Sequence, residues 1–569
     1  MTKIWKDNIK IPSGRQLCAL VPFALLYTIF IIFGNLEKAA ELSAVQNIGR
    51  ILVCMIVSYT VLFCLCFLLS QRKFLMSKTP VLSHIPTQKS RECRWYIFVF
   101  FFLICLICYI PFFLMYYPTW LSNDAVWQIE QILGLSERSN HHPYFHTMII
   151  QFFFTIGYRI FGTYTDAIAF YTFWQIVIMA LAFAFVLYQL YKRGTRLVWL
   201  GAALIFYAVL PANAMLTLCI GKDEFFSASL LLFIWMTAES VRDEKEMSAK
   251  RENLWLIGCF AAGLLVCLLR SNGIFIFLGT ALISFLVDLR KRRFSGHNSL
   301  RMTFIKKHIC ALLVLLCYLI YHGPILDALH VEPPDTIESL SMPTQHILCA
   351  YLKGGELTEE EVAMIDRVAP VDMIEEYYHP YLFDVVKAYI REEGNQQVIE
   401  DEKWEYLKLW FRVGLRNPLQ YVVAEVRQTM GYWAYRVKDY QYLYSDYFMV
   451  ENPFGVETER KFFSYDDSLK MDSYLKKFQE IYNQVWSLGL TTWLMLFAFA
   501  YAVYDKRDIM PYIPCIMLLV TLLLATPVYN EFRYTYGIFI ALPLLLSYSL
   551  GYKEEEASGG ERKDNEEMV

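Results

Sequence analysis

Long apolar runs separated by short polar blocks dominate the chain. They cover about 17–34, 48–70, 95–116, 166–190, 197–213, 224–239, 254–270, 273–289, 308–328, 484–504, 510–528 and 534–551. Each approaches or exceeds the length at which an apolar α-helix crosses a hydrocarbon core of about 30 Å. The stretch 254–289 would run ~54 Å as one helix, so the pattern predicts a fold-back at LLRSNGIF, where Arg270, Ser271, Asn272 and Gly273 supply a charge and a turn. The stretch HHPYFHTMIIQFFFTIGYRIFG is ambiguous by length alone. Its Phe145, Met148, Ile149, Phe152, Ile156 and Ile160 make one helical stripe, and Thr147, Gln151, Thr155, Tyr158 and Arg159 make another. That two-faced pattern predicts a helix lying in the membrane interface.

Lysine and arginine then orient the runs. The blocks QRKFLMSKTPVLSHIPTQKSRECR, YKRGTR, VRDEKEMSAKREN, DLRKRRFSGHNSLRMTFIKK and YDKRD are rich in both residues and are expected on the cytoplasmic side. Twelve crossings put all five there and leave both termini cytoplasmic; a thirteenth at 144–161 would break the parity. The basic lead MTKIWKDNIKIPSGR before the first run resembles a signal peptide, but no small-residue cleavage pattern follows, so a retained helix is expected. The expected protein is an all-α polytopic membrane protein with about twelve transmembrane helices in the plasma membrane. Residues 1–94 form two N-terminal spans and a basic cytoplasmic loop. Residues 95–328 form a transmembrane core with interfacial helices in an external loop at 117–165. A mainly helical extracytoplasmic domain occupies 329–483, terminal spans occupy 484–551, and 552–569 is a disordered cytoplasmic tail.

The composition, 56% hydrophobic and 17% aromatic, agrees with this reading, whereas the net charge of −3 adds little because charges sit in blocks. The fourteen cysteines show no CxxC pair and lie mostly in or beside apolar runs, where they read as small hydrophobes. Only Cys349 falls in the long polar stretch, which therefore has no internal disulfide. There is no internal repeat, P-loop or glycine-rich dinucleotide fingerprint, and no nucleic-acid partner is expected. In the extracytoplasmic domain LTEEEVAMIDRV carries a capping-box pattern and PLQYVVAEVRQTMGYWAYR is amphipathic. The aromatics Trp404, Trp410, Tyr432, Trp433, Tyr435 and Tyr440–Tyr447 are mostly expected in its core.

The external turns collect charge: TWLSNDAVWQIEQILG, LTLCIGKDEFF, LLRSNG and VYNEFRYTYG. Asp124 opens a helix capped by Ser122 or Asn123, with Gln128 and Gln131 on its face and Ala125, Ile129 and Ile132 on another. A first-turn carboxylate is favoured by the helix dipole alone; the sharper reading is a general base or a substrate-orienting group. Lys222, Asp223 and Glu224 are either an interfacial anchor or part of a site. Arg270 either snorkels to headgroups or binds an anion, and Arg533 with Glu531 is either a local ion pair or part of the same site. Two or three cations converging beside one carboxylate are what a lipid-linked phosphate requires. His141 and His142 precede Pro143 without metal-ligand spacing, which leaves hydrogen bonding to substrate or a loop role ahead of metal binding.

These stretches resemble the polytopic C-type (GT-C) glycosyltransferases, which use polyprenyl-phosphate sugars. SNDAVWQIEQ followed by NHHPYFHTMIIQFFFTIGYRIFG is similar to that family's first external loop; KDEFFSASLLLF and LLRSNGIFIF look like later outward turns; EFRYTYGIFIALPLLL looks like its late R-Y span. The match covers about 95–330 and 484–551, while the region holding SMPTQHIL and RNPLQYVVAEVRQTMGYW resembles bacterial membrane proteins of unassigned function. The chain departs from the family in having His142-Pro143-Tyr144 in place of H-P-P, and two additional leading spans. The resemblance implies a GT-C-like fold and an inverting sugar transfer from a polyprenyl-phosphate donor to an extracytoplasmic glycan, lipid or protein at the bilayer. It implies Asp124 as the catalytic carboxylate and Lys222, Arg270 and Arg533 as donor-phosphate ligands. Gln128, His141, His142, Asp223, Glu224, Asn272 and Glu531 would contact substrate or support those groups. No cofactor is certain; a divalent metal is left open, although no second acidic motif completes a metal site. The rival readings are a transporter or flippase of lipid-linked glycans, which would bury ionisable groups mid-span, and a non-catalytic assembly subunit.

Overall fold

A computed structural model describes residues 11–36, 42–71, 94–239, 249–294, 299–435, 437, 451–457, 459 and 461–550. The basic stretches at 72–93 and 240–248, the aromatics Tyr440–Tyr447 and the tail from 551 lie outside the described residues. The N-terminal part runs α1 Gly14–Phe33, α2 Ala44–Ser70, α3 Trp95–Met115, α4 Asn123–Leu133, α5 Tyr144–Phe161 and α6 Tyr164–Lys192. There follow α7 Leu197–Ala208, α8 Pro211–Leu218, α9 Lys222–Glu239, α10 Ala249–Leu269, α11 Gly273–Phe294 and α12 Ser299–Ile320. The inserted domain contains α13 Ser341–Leu352, α14 Glu359–Val368, α15 Phe383–Glu392, α16 Lys403–Arg416 and α17 Pro418–Thr429, with shorter helices between them. The chain closes with α18 Tyr465–Val485, α19 Leu488–Tyr504, α20 Ile513–Ala525 and α21 Phe532–Leu550. The described residues contain isolated β-bridges rather than strands.

Helices occupy all twelve apolar runs. Eight of them are long and apolar enough to cross a membrane, or nine if the pair α18–α19, bent by 49°, counts as one span. The chain is a helical, multi-pass membrane protein. α9 and α21 open on charged or tyrosine-rich turns, and α20 with its leading turn is short, which separates them from the eight. The helix α5 is not among the eight either, and its pattern explains its place. Its inner face is Tyr144, His146, Thr147, Ile150, Phe154 and Gly157, while Phe152, Ile160 and Phe161 are exposed.

Local chemistry sets the breaks. The fold-back between α10 and α11 requires Gly273, because a Cβ there would lie 1.8 Å from the Val266 carbonyl oxygen. The run from Leu197 continues beyond the expected 213 to Leu218, broken at Val209-Leu210 where Pro211 starts α8. Asn213 reaches across that break, donating to the Phe206 carbonyl at 2.7 Å and accepting from Tyr536 at 3.1 Å. The boundary expected near 483 falls inside α18, whose bend into α19 sits at Trp486-Ser487, with Ser487 capping Leu490. Gly157 lets α5 cross α6 closely: a Cβ would stand 2.9 Å from Ala167 Cα. Gly157→Leu is expected to lower stability by about 1–3 kcal/mol through overpacking, measured as an earlier thermal unfolding of the detergent-solubilised protein.

The inserted domain has its own apolar core, including Ile347, Ile365, Phe383, Val386, Ile390, Tyr406, Leu409 and Val413. Its capping box is present, Thr358 and Glu361 exchanging bonds at the start of α14. The expectation that its aromatics are mostly internal holds for Tyr432 and Trp433 but not for Trp404 and Tyr435, which are exposed. Tyr435 keeps a tilted ring contact with Trp493 of α19, 5.9 Å between centroids. Several connections among the described residues tie the domain to the bundle. Leu382 bridges Val528, the Gln428 amide donates to the Thr526 and Pro527 carbonyls, and the Tyr432 hydroxyl donates to the Val528 carbonyl. Beyond α17, Trp433 stacks on Phe30 of α1, with ring centroids 5.2 Å apart.

Candidate functional site

The helix ends at 123, 222, 270 and 532 meet at one end of the bundle, and two loop segments align them. Trp120 and Cys219 form a parallel bridge: the Trp120 N–H donates to Leu218 at 3.2 Å and the Ile220 N–H donates to Trp120 at 3.1 Å. The Gln175 amide secures the second strand of this bridge, donating to the Thr217 and Cys219 carbonyls. Ser122, not Asn123, caps α4 by accepting from the Ala125 N–H. Asp124 and Lys222 are thereby brought opposite each other, four and three residues beyond the bridge.

Asp124 Oδ2 accepts from Lys222 Nζ at 3.3 Å and from Arg533 Nη1 at 3.0 Å. Lys222 also reaches His142 Nδ1 at 2.8 Å, and His142 Nε2 stands 3.9 Å from Asp124 Oδ1. An ammonium has no lone pair, so His142 Nδ1 accepts and its remaining proton sits on Nε2, towards the carboxylate. Alongside lies a second ion pair, Arg270 Nη1 to Asp223 Oδ1 at 2.9 Å, almost wholly enclosed. Tyr534 joins the two: its ring centroid lies 4.5 Å from the Arg270 guanidinium carbon and 5.4 Å from that of Arg533. Glu531 flanks Arg533 Nε at 3.6 Å, and the Glu531 N–H donates to Tyr432, so the inserted domain helps to place this turn.

Electrostatics follow from these contacts. Burial alone would raise the Asp124 pKa, but Lys222, then Arg533 and His142, hold its carboxyl well below the usual range. Burial and then Lys222 hold His142 well below the usual histidine range, and burial lowers His141 as well. Burial raises Glu531, against the opposing pull of Arg533. For a group whose pKa is lowered by folding, the unfolded chain binds protons first as pH falls. The histidine contribution is therefore fully present above pH ~6.5 and is lost below it, and that of Asp124 is lost below pH ~3.9. Thermal unfolding of the purified protein should thus be insensitive to these groups from pH 8 to about 6.5 and then fall. His142→Asn should flatten that fall, and parallel curves for the two proteins would contradict the assignment.

The remaining expected residues are distributed differently. His141 packs against His142 with ring centroids 4.7 Å apart and faces Glu338 of the inserted domain at 3.8 Å. Gln128 does not join the cluster. It is buried, donating to Thr147 at 2.9 Å and paired with His146 at 3.1 Å, in a polar seam that continues through Tyr171 to Gln175. The expected division of α4 into a polar and an apolar face is corrected accordingly: Gln128 and Gln131 are buried together with Ala125 and Ile129, because α5 offers partners to Gln128 and the Ser139 N–H donates to Gln131 at 3.1 Å. Glu224 makes no hydrogen bond or ion pair to the cluster among the described residues. It is buried, with Oε2 lacking a hydrogen-bond partner among the described residues, and a Cβ on Gly221 would lie 2.5 Å from that atom. Asn272 donates to Thr521 at 2.8 Å. Among the described residues no group of three His, Cys, Asp or Glu side chains is placed to hold a metal.

Two cluster residues carry no expectation from the sequence. Tyr534 was visible only as the neighbour of Arg533, and Trp127 only as the residue one turn beyond Asp124. Trp127 lies 5.4 Å from His141 and 6.1 Å from His142 between ring centroids.

Fold and site together define a multi-pass helical membrane protein with a charged cluster built from helix ends. The chain belongs to a family of unknown function, DUF6020, whose model matches residues 134–563. That match includes His141, His142, Lys222, Arg270 and Arg533 and begins after Asp124. No curated protein and no solved structure matches the chain.

Proposed function

We propose that this is a membrane glycosyltransferase of the GT-C kind, moving a sugar from a polyprenyl-phosphate donor to an extracytoplasmic acceptor. In this reading the chain crosses the plasma membrane twelve times with both termini cytoplasmic, and the charged cluster opens to the outer face. The observation that carries it is one carboxylate shared by Lys222 and Arg533, with a third cation, Arg270, on the same tyrosine. Three cations at helix ends suit a phosphate kept at bilayer depth by its own lipid tail.

In the transfer, the acceptor hydroxyl oxygen forms a bond to the anomeric carbon as the bond from that carbon to the phosphate oxygen breaks. Asp124 takes the hydroxyl proton, the configuration inverts, and polyprenyl phosphate departs carrying the negative charge. Lys222, Arg533 and Arg270 stabilise that charge. A carboxylate held between two cations is a weak base, and the donor resolves this: its phosphate competes for Lys222 and Arg533, which releases Asp124 and raises its basicity. His142 keeps Lys222 directed into the cluster by accepting a hydrogen bond from its ammonium.

The test is reconstitution of the full chain in proteoliposomes with a panel of polyprenyl-phosphate sugars and envelope glycans. Transfer of labelled sugar is expected. Absence of transfer across the panel, together with protein-dependent movement of the lipid-linked sugar between leaflets, would overturn the reading in favour of a flippase.

A further inference from the structure

We infer that Trp127 is the platform on which a pyranose ring of the acceptor stacks, so that the acceptor is a glycan. This rests on the transferase reading and selects among its acceptors. Trp127 lies three residues after Asp124 on α4, so both project from the same side of the helix one turn apart. Its neighbours Val126 and Gln128 are buried, yet Trp127 is 50% exposed.

The ring is held rather than loose. It meets His141 at an interplanar angle of 79° and His142 at 60°, and the two imidazoles meet each other at 79°. Neither imidazole lies flat on the indole, so the contacts fix its direction without covering it by parallel stacking. An exposed tryptophan at a membrane interface is ordinarily a lipid anchor. Here Trp127 instead packs against His141 and His142, and His142 leads directly to Lys222 and Asp124 of the charged cluster.

The rim continues onto the inserted domain. Glu338 faces His141 and also takes Lys387 at 3.0 Å and Arg391 at 3.1 Å. An open aromatic ring held by two imidazoles, beyond which His141 leads to Glu338 and His142 to Lys222 and Asp124, matches a sugar, which presents an apolar C–H face and a ring of hydroxyls. An alkyl acceptor needs a continuous apolar groove instead, and this rim is charged. Trp127 follows Asp124 by about one helical turn, so a saccharide stacked on the indole and extending along α4 towards its N-terminus would carry a hydroxyl to the Asp124 carboxylate.

The probes are chitotetraose, cellotetraose and mannotetraose, titrated by calorimetry without donor into the full chain in lipid nanodiscs. The wild-type protein is expected to bind at least one of them. Trp127→Ala should weaken that binding about tenfold, whereas Trp127→Phe, which keeps an aromatic face, should retain most of it. Unchanged unfolding temperatures would establish that both variants are folded. Binding undiminished in the Ala variant, or no binding of any probe by the wild type, overturns the proposal. In the transfer assay the Ala variant should raise the acceptor KM and leave the donor KM alone. Saccharide binding through Trp127 without transfer would sink the transferase reading and keep the platform. Transfer with an acceptor KM indifferent to Trp127 would do the reverse.

Discussion

Asp124→Asn is expected to reduce kcat for sugar transfer by a factor on the order of 10²–10⁴, the usual contribution of a positioned general base. The substitution keeps the size of the side chain and one oxygen able to accept from Lys222 or Arg533, but removes the group that takes the proton. The two cations lose their counter-charge, so the donor phosphate should bind at least as well as before. The distinguishing signature is therefore a fall in kcat without a rise in the donor KM. A purely structural role for Asp124 would instead disturb donor binding and kcat together, because Lys222 and Arg533 would no longer be held. Transfer by the Asn variant at close to the wild-type rate would falsify the catalytic assignment.

The second large effect is on stability. Arg270→Met should cost about 3–5 kcal/mol, because it strands Asp223 as a buried charge without its partner. Asp223 is 2% exposed and Arg270 9%, so water cannot take over the lost interaction. The guanidinium also stacks on Tyr534, and Arg270→Lys would preserve charge but not that contact, giving an intermediate loss. Removing both charges, as Asp223→Leu with Arg270→Met, should restore most of the stability while leaving donor binding impaired. Thermal unfolding of the four proteins in one detergent makes the comparison. An Arg270→Met protein that unfolds at the wild-type temperature would show that the pair contributes nothing to the fold.

Both predictions depend on how far the site could be read along the chain. Lys222, Arg270 and Arg533 stood out because each interrupts or borders an apolar run, where a charge is expensive, and Asp124 because it opens a capped helix in the external loop. Their pairing was not legible: Asp124 and Arg533 are separated by 409 positions, and nothing local distinguishes Arg533 from Arg270 as its partner. The inward turn of Gln128 was misread for a related reason. Helical spacing assigns residues to faces, but which face is covered depends on the neighbours, and here α5 brings His146 and Thr147 to meet it, with Tyr171 of α6 behind His146. Trp127 and Tyr534 were hidden among many aromatics, since a ring acquires a role only from what lies against it.

By itself the sequence determined the apolar helices, because the hydrophobic requirement of a span is met residue by residue along one segment. It also determined the fold-back before α11, because 254–289 is too long for one span and Arg270, Ser271, Asn272 and Gly273 interrupt it with a charge and a turn. The tertiary structure alone decided which charges neutralise which, that Tyr534 is shared by two arginines, and that the inserted domain holds the turn carrying Glu531 and Arg533. Those are contacts between segments distant in the chain, and their energies depend on distance and enclosure, which exist only once the helices have packed.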